Sequence, residues 1–396
     1  HPLGSYHQTS SYAMLASEQG YEYDLLGFVD DQGKIKAASL ILYKKLGMFN
    51  RYGYAPKGFL INYYDQELLK DFLNQLRKHY KRQNFIFIKF NPEIIIGETN
   101  KGNKYIMSYN GNVRIIDELK SMNVKRRLEL KEFDLLEPKF NAYLNLKQFD
   151  VNKLNRNYRK KIRHGLNKGM SLTLGGAKDI NLLYEMMKGK TDKPISYYRN
   201  FYNIFSRDNS IDLVFITVDY SKYLQYCRQV YDRELGINDY WNQLIQKDPR
   251  KKNLNNKMTS DNKLQGYKDE IIKATAGLKR NPIQYVAGAL VIKHFNRVCI
   301  LASGFDREFK DLNPNHFLHY AIFERYKPYF SYCDMNGVTG KFDESSQYHG
   351  LNQFKLKFDP TIYEFVGELD LICNERLFKK LIKTSFIEDE FNKKTF

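Results

Sequence analysis

The sequence has few of the residues from which disulfide, redox and metal sites are built. Its 396 residues include four cysteines and one tryptophan. The cysteines are Cys227, Cys299, Cys333 and Cys373. Because no two of them form a CxxC pair, a zinc cluster or a dithiol redox motif is not expected. We interpret all four as free thiols of a reducing compartment.

Long apolar runs and the common nucleotide fingerprints are also missing. No run reaches transmembrane length and no signal peptide is recognisable, which predicts a soluble intracellular chain. G-x-S-x-G, Walker and dinucleotide motifs are absent. The nearest approach to an acetyl-CoA motif, "QYHGLN" at residues 347–352, fails at its last position, so CoA is not expected as a cofactor. His316 and His319 have no carboxylate or thiol nearby in sequence, so packing is a better interpretation than metal binding.

Positive charge is what the sequence has in excess. It contains 63 lysines and arginines against 45 acidic residues, a formal net charge of +18. Such an excess indicates an anionic partner, whether nucleic acid, acidic lipid or a phosphorylated substrate. The alternative is a lysine-rich background composition, because net charge alone does not identify a ligand.

Strand-like and helix-like stretches alternate, which predicts an α/β fold. Residues 34–92 and 284–340 share the order strand, strand, helix, strand, so we predict two copies of one α/β unit; chance similarity is the alternative. Residues 219–282 place apolar side chains at helical spacing on both sides of Pro249. That pattern predicts an arm of two antiparallel helices rather than a disordered linker.

Residues 153–169, "KLNRNYRKKIRHGLNKG", carry the densest positive charge and no acid. On a helix, Arg156, Lys160 and Arg163 share one face. The opposite, apolar stripe consists of Tyr158, Ile162 and Leu166. A helix with a purely cationic face can contact phosphates, although a face that only solvates the helix is the alternative.

The stretch "FKLKF", residues 354–358, places two lysines between aromatic residues. Interpreted as a strand, it would put Lys355 and Lys357 on one face. Whether Lys355 is a surface charge or lies near a reacting group is left open by these five residues alone.

Five motifs in register are more specific than any one of them. They are "HPLGSYHQTSSYAMLASEQG", "YAPKGFLINYYDQELL", "LNRNYRKKIRHGLNKG", "FKDLNPNHFLHYAIFERY" and "HGLNQFKLKFDPTIYEFVGELDL". Together they resemble the Fem/MurM family of peptidoglycan bridge-forming aminoacyltransferases, over nearly the whole chain. The resemblance is strongest to the lipid II glycyltransferase branch.

The resemblance implies an α/β fold of two tandem GNAT-like acyltransferase units with an inserted antiparallel two-helix coiled-coil arm. The first unit would span residues 1–145, the second residues 146–218 and 283–396, and the arm residues 219–282. The implied reaction moves an amino acid from aminoacyl-tRNA to the stem-peptide amine of lipid II or a related precursor, with no cofactor. The protein would be cytoplasmic, peripheral to the inner face of the plasma membrane, and a possible partner of related aminoacyltransferases.

The resemblance also implies roles for individual residues. Lys355 matches the lysine of the family's F-K-x-x-F/Y/W motif and is the implied catalytic residue. Residues implied to bind substrate are Arg156, Arg159, Lys160, Arg163, Lys57, Tyr21, Asp306, Phe309 and His316.

Three of these positions depart from the family pattern. Tyr21 stands where a lysine often follows the glycine, Lys57 replaces an arginine, and Phe309 replaces a tyrosine. Two alternatives therefore stay open. One is an inactive relative that binds RNA or an anionic membrane, and the other is an enzyme that acts on another amine acceptor.

Overall fold

The computed structural model describes residues 1–99, 107–128, 131–133 and 135–383. The elements up to residue 145 are α1 (Ser10–Glu18), β1 (Glu22–Val29), β2 (Ile35–Leu46), β3 (Asn50–Ala55), α2 (Gln66–Arg82), β4 (Phe85–Phe90), β5 (Ile95–Thr99), β6 (Met107–Tyr109), α3 (Arg114–Ser121), β7 (Val124–Arg126) and β8 (Phe140–Asn145).

The second part of the chain contributes the remaining elements. They are α4 (Arg156–Asn167), β9 (Met170–Gly175), α5 (Ile180–Met186), α6 (Ile195–Phe205), β10 (Ile211–Asp219), α7 (Tyr220–Lys247), α8 (Lys251–Arg280), β11 (Ile283–His294), β12 (Arg297–Phe305), α9 (Pro314–Tyr326), β13 (Tyr332–Val338), α10 (His349–Leu356), β14 (Thr361–Phe365), β15 (Leu369–Ile372) and α11 (Glu375–Leu381). The predicted mixed α/β class is confirmed.

Two sheets organise these elements, and the sheets exchange strands. The first has the order β1-β2-β3-β4-β15-β7, and the second has the order β6-β5-β14-β8-β13-β12-β11-β10-β9. Strands β5 and β6 thus leave the first part of the chain for the second sheet, while β15 returns from the end of the chain to the first. Each sheet takes strands from both parts of the chain, so the sheets do not define a single boundary between two domains. The predicted domain boundaries stay a prediction.

The predicted internal repeat is visible in the strand pairing. Strands β2 and β3 pair antiparallel, and β3 pairs parallel with β4 after the crossover through α2. Strands β11, β12 and β13 pair in the same way, with α9 in the crossover. The second strand of the first unit ends at Ala55, and Lys57 in the turn that follows has a φ of +53°.

The predicted arm is present as a two-helix hairpin, α7 and α8, separated at Pro249. The expected apolar seam is polar near its middle. The buried Ser260 hydroxyl donates to Glu234 (2.8 Å) and accepts from the Asn238 amide (3.2 Å). These bonds satisfy polar groups that would otherwise be costly to bury. Among the residues placed in the structure, no helix is both long and apolar enough to cross a bilayer.

The hydrophobic core that packs α4, α9 and α10 against the second sheet is called the second core. Tyr158 and Ile162 of α4 are buried as predicted, and each such side chain contributes about 1.5–3 kcal/mol relative to exposure. Leu166 was predicted to lie with them but is 51% exposed. Gly165 is buried there instead. A Cβ at residue 165 would come within 2.6 Å of the Phe317 ring on α9, so a larger residue would clash. The helices therefore pack closely where the glycine lies.

Candidate active site

The "FKLKF" stretch is the end of a helix, so its interpretation as a strand was wrong. Helix α10 ends at Leu356, and the turn after it, closed by the Phe358 N–H donating to the Lys355 carbonyl at 3.1 Å, brings Phe358 to the side of Phe354. Their ring centroids are 5.6 Å apart, and both rings pack against the ring of His319. Lys357 points to solvent, whereas Lys355 is buried. The two lysines therefore do not share a face.

Asn352 fixes α10 against the segment that follows β13. Its side chain is fully buried. The amide nitrogen donates to the Thr339 hydroxyl (2.7 Å) and to the Lys341 carbonyl (2.6 Å), and the amide oxygen accepts from the Thr339 backbone N–H (3.3 Å). A buried amide with these partners restricts the position of the helix one turn before Lys355.

Lys355 is only 8% exposed, which excludes the surface-charge alternative. Its Nζ donates to the backbone carbonyl of Gly337 at 2.6 Å. Burial lowers the pKa of Lys355 to about 8, although Asp334 and Cys299 oppose the shift. Within the described ranges, Nζ forms no ion pair closer than 4 Å. The ammonium is thus a buried cation held by a neutral acceptor, which leaves its charge available to another group.

A small polar cavity of ≈ 40 Å³ lies between the two sheets, beside Asp334. Its charged or imidazole-bearing lining residues are His7, Lys57, Glu93, Glu137, His294, Arg297 and Asp334. Arg297 contacts Glu93 at 2.5 Å and donates to the Tyr143 hydroxyl at 2.8 Å. Burial raises the pKa of Asp334, and Arg297 partly offsets this effect. The cavity has room for about one water molecule.

Aromatic contacts connect Lys355's helix to the cationic helix α4. The Tyr158 ring lies 4.7 Å from the His316 ring and 4.7 Å from the Phe358 ring. Burial, with Lys161 nearby, lowers the pKa of His316 to about 4. The imidazole is therefore neutral near pH 7 and can accept from Lys161 Nζ at 3.2 Å. The His316 ring also lies 5.3 Å from the ring of Phe354, the residue before Lys355, and the substrate-binding role of His316 stays a prediction.

The cationic face of α4 lies at an open groove of ≈ 670 Å³. Arg156, Arg159, Lys160 and Arg163 all line this groove and are all exposed. In the described ranges, none of the four forms an ion pair with a carboxylate. Lys168, at the end of the same segment, is different because it is buried and contacts Glu270 of the arm at 2.5 Å. The four arginine and lysine side chains are arranged to meet an external anion.

The other residues predicted to bind substrate lie apart from the cationic face of α4. Lys57 is buried with Nζ 4.0 Å from Glu93, at the polar cavity rather than on the surface. Tyr21 is buried, with Lys44 Nζ 3.7 Å from its ring centroid. Asp306 caps the turn Arg307–Leu312 and lines a separate groove.

Phe309, the last predicted substrate residue, packs against the second core. Sequence reasoning missed the buried Asp334 and the half-buried Glu93 and Arg297. Asp334 lies in β13, Glu93 follows β4 and Arg297 begins β12, and none of them belongs to a local motif. The buried Asn352 was also missed, although it lies within "HGLNQFKLKF".

Comparison with known proteins now adds an independent observation. The sequence profile of the FemAB family matches residues 1–384. The chain belongs to the FemAB family. It is 24% identical over 392 residues to the lipid II:glycine glycyltransferase of Staphylococcus epidermidis, covering 96% of this chain and 90% of that relative. It is 23% identical over 395 residues to the enzyme of that name from Staphylococcus aureus, with the same coverage.

The crystal structure of FemX shares the fold. It superposes with a TM-score of 0.77 and 22% sequence identity, covering 96% of this chain and 95% of FemX. The predicted family and the predicted α/β fold are therefore confirmed, while the coiled-coil nature of the arm stays a prediction. Searched over its described residues, this FemAB chain shows no group of three or more His, Cys, Asp or Glu side chains that could hold a metal ion.

Proposed function

We propose that this FemAB chain transfers an amino acid from aminoacyl-tRNA to the stem-peptide amine of lipid II or its bridge-extended form, building the interpeptide bridge of the cell wall. The observation that carries the proposal is the buried Lys355 ammonium, held by a backbone carbonyl and by no described carboxylate. The relatives named lipid II:glycine glycyltransferase support the substrate class.

The proposed reaction is a direct aminolysis. The neutral amine nitrogen attacks the ester carbonyl of the aminoacyl-tRNA, and a C–N bond forms while the carbonyl oxygen becomes an oxyanion. The bond to the ribose oxygen then breaks, and the proton lost by the amine ends on that oxygen. Lys355 would stabilise the negative charge at either oxygen, which is the kind of interaction that lowers such barriers most. The step needs no cofactor.

The second part of the proposal concerns how the substrates bind. The exposed arginines and lysine of α4 would contact tRNA phosphates along the open groove. Because lipid II is a membrane lipid, the protein would work in the cytoplasm against the inner face of the plasma membrane. Related aminoacyltransferases of the same pathway would be its neighbours, since each bridge residue supplies the amine for the next transfer.

Transfer of labelled amino acids from a mixed aminoacyl-tRNA pool to lipid II tests the reaction. Lys355→Ala is expected to lower transfer by about 10²–10³-fold, the usual loss when one oxyanion donor is removed. Lys357→Ala, two residues along and exposed, is the matched control and should transfer normally.

Transfer that survives Lys355→Ala would contradict the catalytic role. Absence of transfer to lipid II and to bridge-extended acceptors would favour a binding protein for RNA or membrane. Label that reaches only another amine would keep the chemistry and change the acceptor.

A further inference from the structure

The turn between β2 and β3 exposes two large apolar side chains. Met48 is 83% exposed and Phe49 is 73% exposed, directly after Gly47, whose φ of +63° makes the turn. Soluble surfaces tolerate single apolar residues, but two adjacent ones at the tip of a hairpin form a protrusion with nothing to cover it. The tip therefore needs a reason to be apolar.

Cations surround this tip from three elements, the β2–β3 hairpin itself, α2 and α11. Lys45 on β2 is exposed, and Arg51 on β3 is half-buried with its guanidinium carbon 5.6 Å from the centroid of the Tyr43 ring. The Arg51 backbone N–H donates to the Asn84 carbonyl at 3.0 Å, which brings the end of α2 alongside. That helix end exposes Lys81 and Arg82.

The third element is α11. Leu46 packs in one cluster with Phe378, so α11 lies beside the hairpin, and it exposes Arg376, Lys379 and Lys380. Lys379 contacts Glu375 at 3.5 Å, and Glu22 of β1 lies opposite Tyr43. Within the described ranges, Lys45, Arg51, Lys81 and Arg82 form no ion pairs. The acids nearby are thus fewer than the cations.

The matching turn of the second unit is a natural comparison. Phe295, between β11 and β12, is 75% exposed and also has cations on both sides. There, however, Lys293 contacts Asp212 at 2.8 Å and Arg297 contacts Glu93 at 2.5 Å. Because carboxylates neutralise Lys293 and Arg297, the turn exposes an apolar side chain but these two cations are not available to attract an anion.

We propose that the β2–β3 tip docks the protein on an anionic lipid bilayer. Met48 and Phe49 would enter the headgroup region while Lys45, Arg51, Lys81 and Arg82 face the lipid phosphates, the combination that anchors peripheral proteins. Nucleic acid would use the cations but gives no role to two adjacent apolar side chains. The inference takes from the proposed function only that the acceptor is membrane-borne.

Sedimentation of the full chain with lipid vesicles tests the docking surface. We expect binding to vesicles containing phosphatidylglycerol and little binding to phosphatidylcholine alone. The double variant Met48→Ser with Phe49→Ser should lose about tenfold or more in partitioning. Phe295→Ser is the matched control, since it removes an equally exposed phenylalanine, and it should bind as the wild type does.

The charge contribution is tested separately with Lys81→Gln and Arg82→Gln. Each should lower partitioning about fivefold, because a cation near an anionic membrane contributes about that factor. Lys251→Gln, on the exposed start of α8, is the control. Loss of vesicle binding in this control to the same extent would mean general charge attraction and would overturn the proposal.

Insertion itself can be measured because the chain has a single tryptophan, Trp241 in α7. In a Trp241→Phe background, the tryptophan introduced by Phe49→Trp should shift its fluorescence emission to shorter wavelength on anionic vesicles. The tryptophan introduced by Phe295→Trp should show no such shift. Equal shifts, or a shift at residue 49 with tRNA instead of vesicles, would overturn the proposal. Transfer to a detergent-solubilised acceptor should be unchanged in the Met48/Phe49 variant, so failure here is distinguishable from failure of the proposed reaction.

Discussion

Both related units bury a lysine, and the two lysines have opposite environments. Lys89 of β4 is fully buried, with Nζ 2.9 Å from Asp370 and 3.3 Å from Glu368. Burial alone would lower its pKa, but the two carboxylates outweigh burial and raise it. Lys355 has a carbonyl as its partner instead, and its pKa is lowered to about 8. Lys89 is thus paired with carboxylates, whereas Lys355 is held by a neutral acceptor, as its proposed catalytic role requires.

Lys89→Met should produce the largest loss of stability. It leaves Asp370 and Glu368 buried without their cation, a change that costs about 3–5 kcal/mol of unfolding free energy. Urea unfolding followed by circular dichroism measures it. A loss below about 1 kcal/mol would mean that nearby Arg127, 3.7 Å from Glu368, already compensates the carboxylates.

Lys355→Met should not lower the unfolding free energy at pH 7, because it removes a buried charge. The pKa of Lys355 is about 8 in the folded state against 10.5 ordinarily, so the folded state binds fewer protons between these values. The cost of burying the charge is full below pH 8 and disappears as pH rises towards 10.5. Relative to the variant, the wild type should therefore gain up to about 3 kcal/mol across this window. Parallel stability curves for the two proteins would contradict the lowered pKa.

The same titration predicts the direction of the pH effect on activity. If Lys355 acts as a cation, transfer should fall as pH rises through about 8, after correction for spontaneous hydrolysis of the aminoacyl ester. The Lys355→Ala protein should lack this step in its residual rate. A wild-type rate that rises through pH 8 would instead assign Lys355 the role of a base.

Gly337→Ala tests the backbone carbonyl that accepts from Lys355. A Cβ at residue 337 would lie 2.4 Å from the Pro138 side chain, so Pro138 or the backbone that carries the acceptor carbonyl of Lys355 has to shift. We expect a loss of about 1–3 kcal/mol in unfolding free energy together with slower transfer. Gly350→Ala in α10 is the control, because a Cβ there meets nothing within 4 Å and should not destabilise the helix.

The smallest expected effects come from the cationic face of α4, which the first unit's helix α2 does not match. Arg159→Gln or Arg163→Gln should each weaken tRNA binding and reduce the salt slope by about 1. Lys70→Gln, exposed on α2, is the control. Fluorescence anisotropy with labelled tRNA over a range of salt measures the slope. Equal slopes for all three variants would remove α4 from the RNA-binding surface.

Periodicity was sufficient to predict the repeat, the arm and the helix α4, because each extends over enough residues for one period to dominate. "FKLKF" is too short for that. Its five residues fit a strand, and only the contacts of Asn352 and the phenylalanines show a helix. Leu166 was misplaced because hydrophobicity favours leucine inside, whereas the close approach of α9 requires Gly165.

The buried charges of the candidate site were beyond prediction for another reason. Glu93, Arg297 and Asp334 are far apart in sequence and meet only where the fold brings them together around one cavity. Each residue by itself is an ordinary charged residue in or near a strand. Burial raises the pKa of Asp334, whereas burial lowers the pKa of Arg297 and the carboxylate of Glu93 outweighs that effect. Neither effect is known before the sheets are assembled.

Strand β15 has a consequence for how the protein is made. It lies between β4 and β7 in the first sheet, although it is formed by residues 369–372, which follow the helical arm in the chain. A ribosome therefore has to translate past residue 372 before the middle of the first sheet can close. Until then, β4 and β7 present open edges that invite aggregation. A stop codon between the arm and β15 would release a chain whose first sheet is as incomplete as its second.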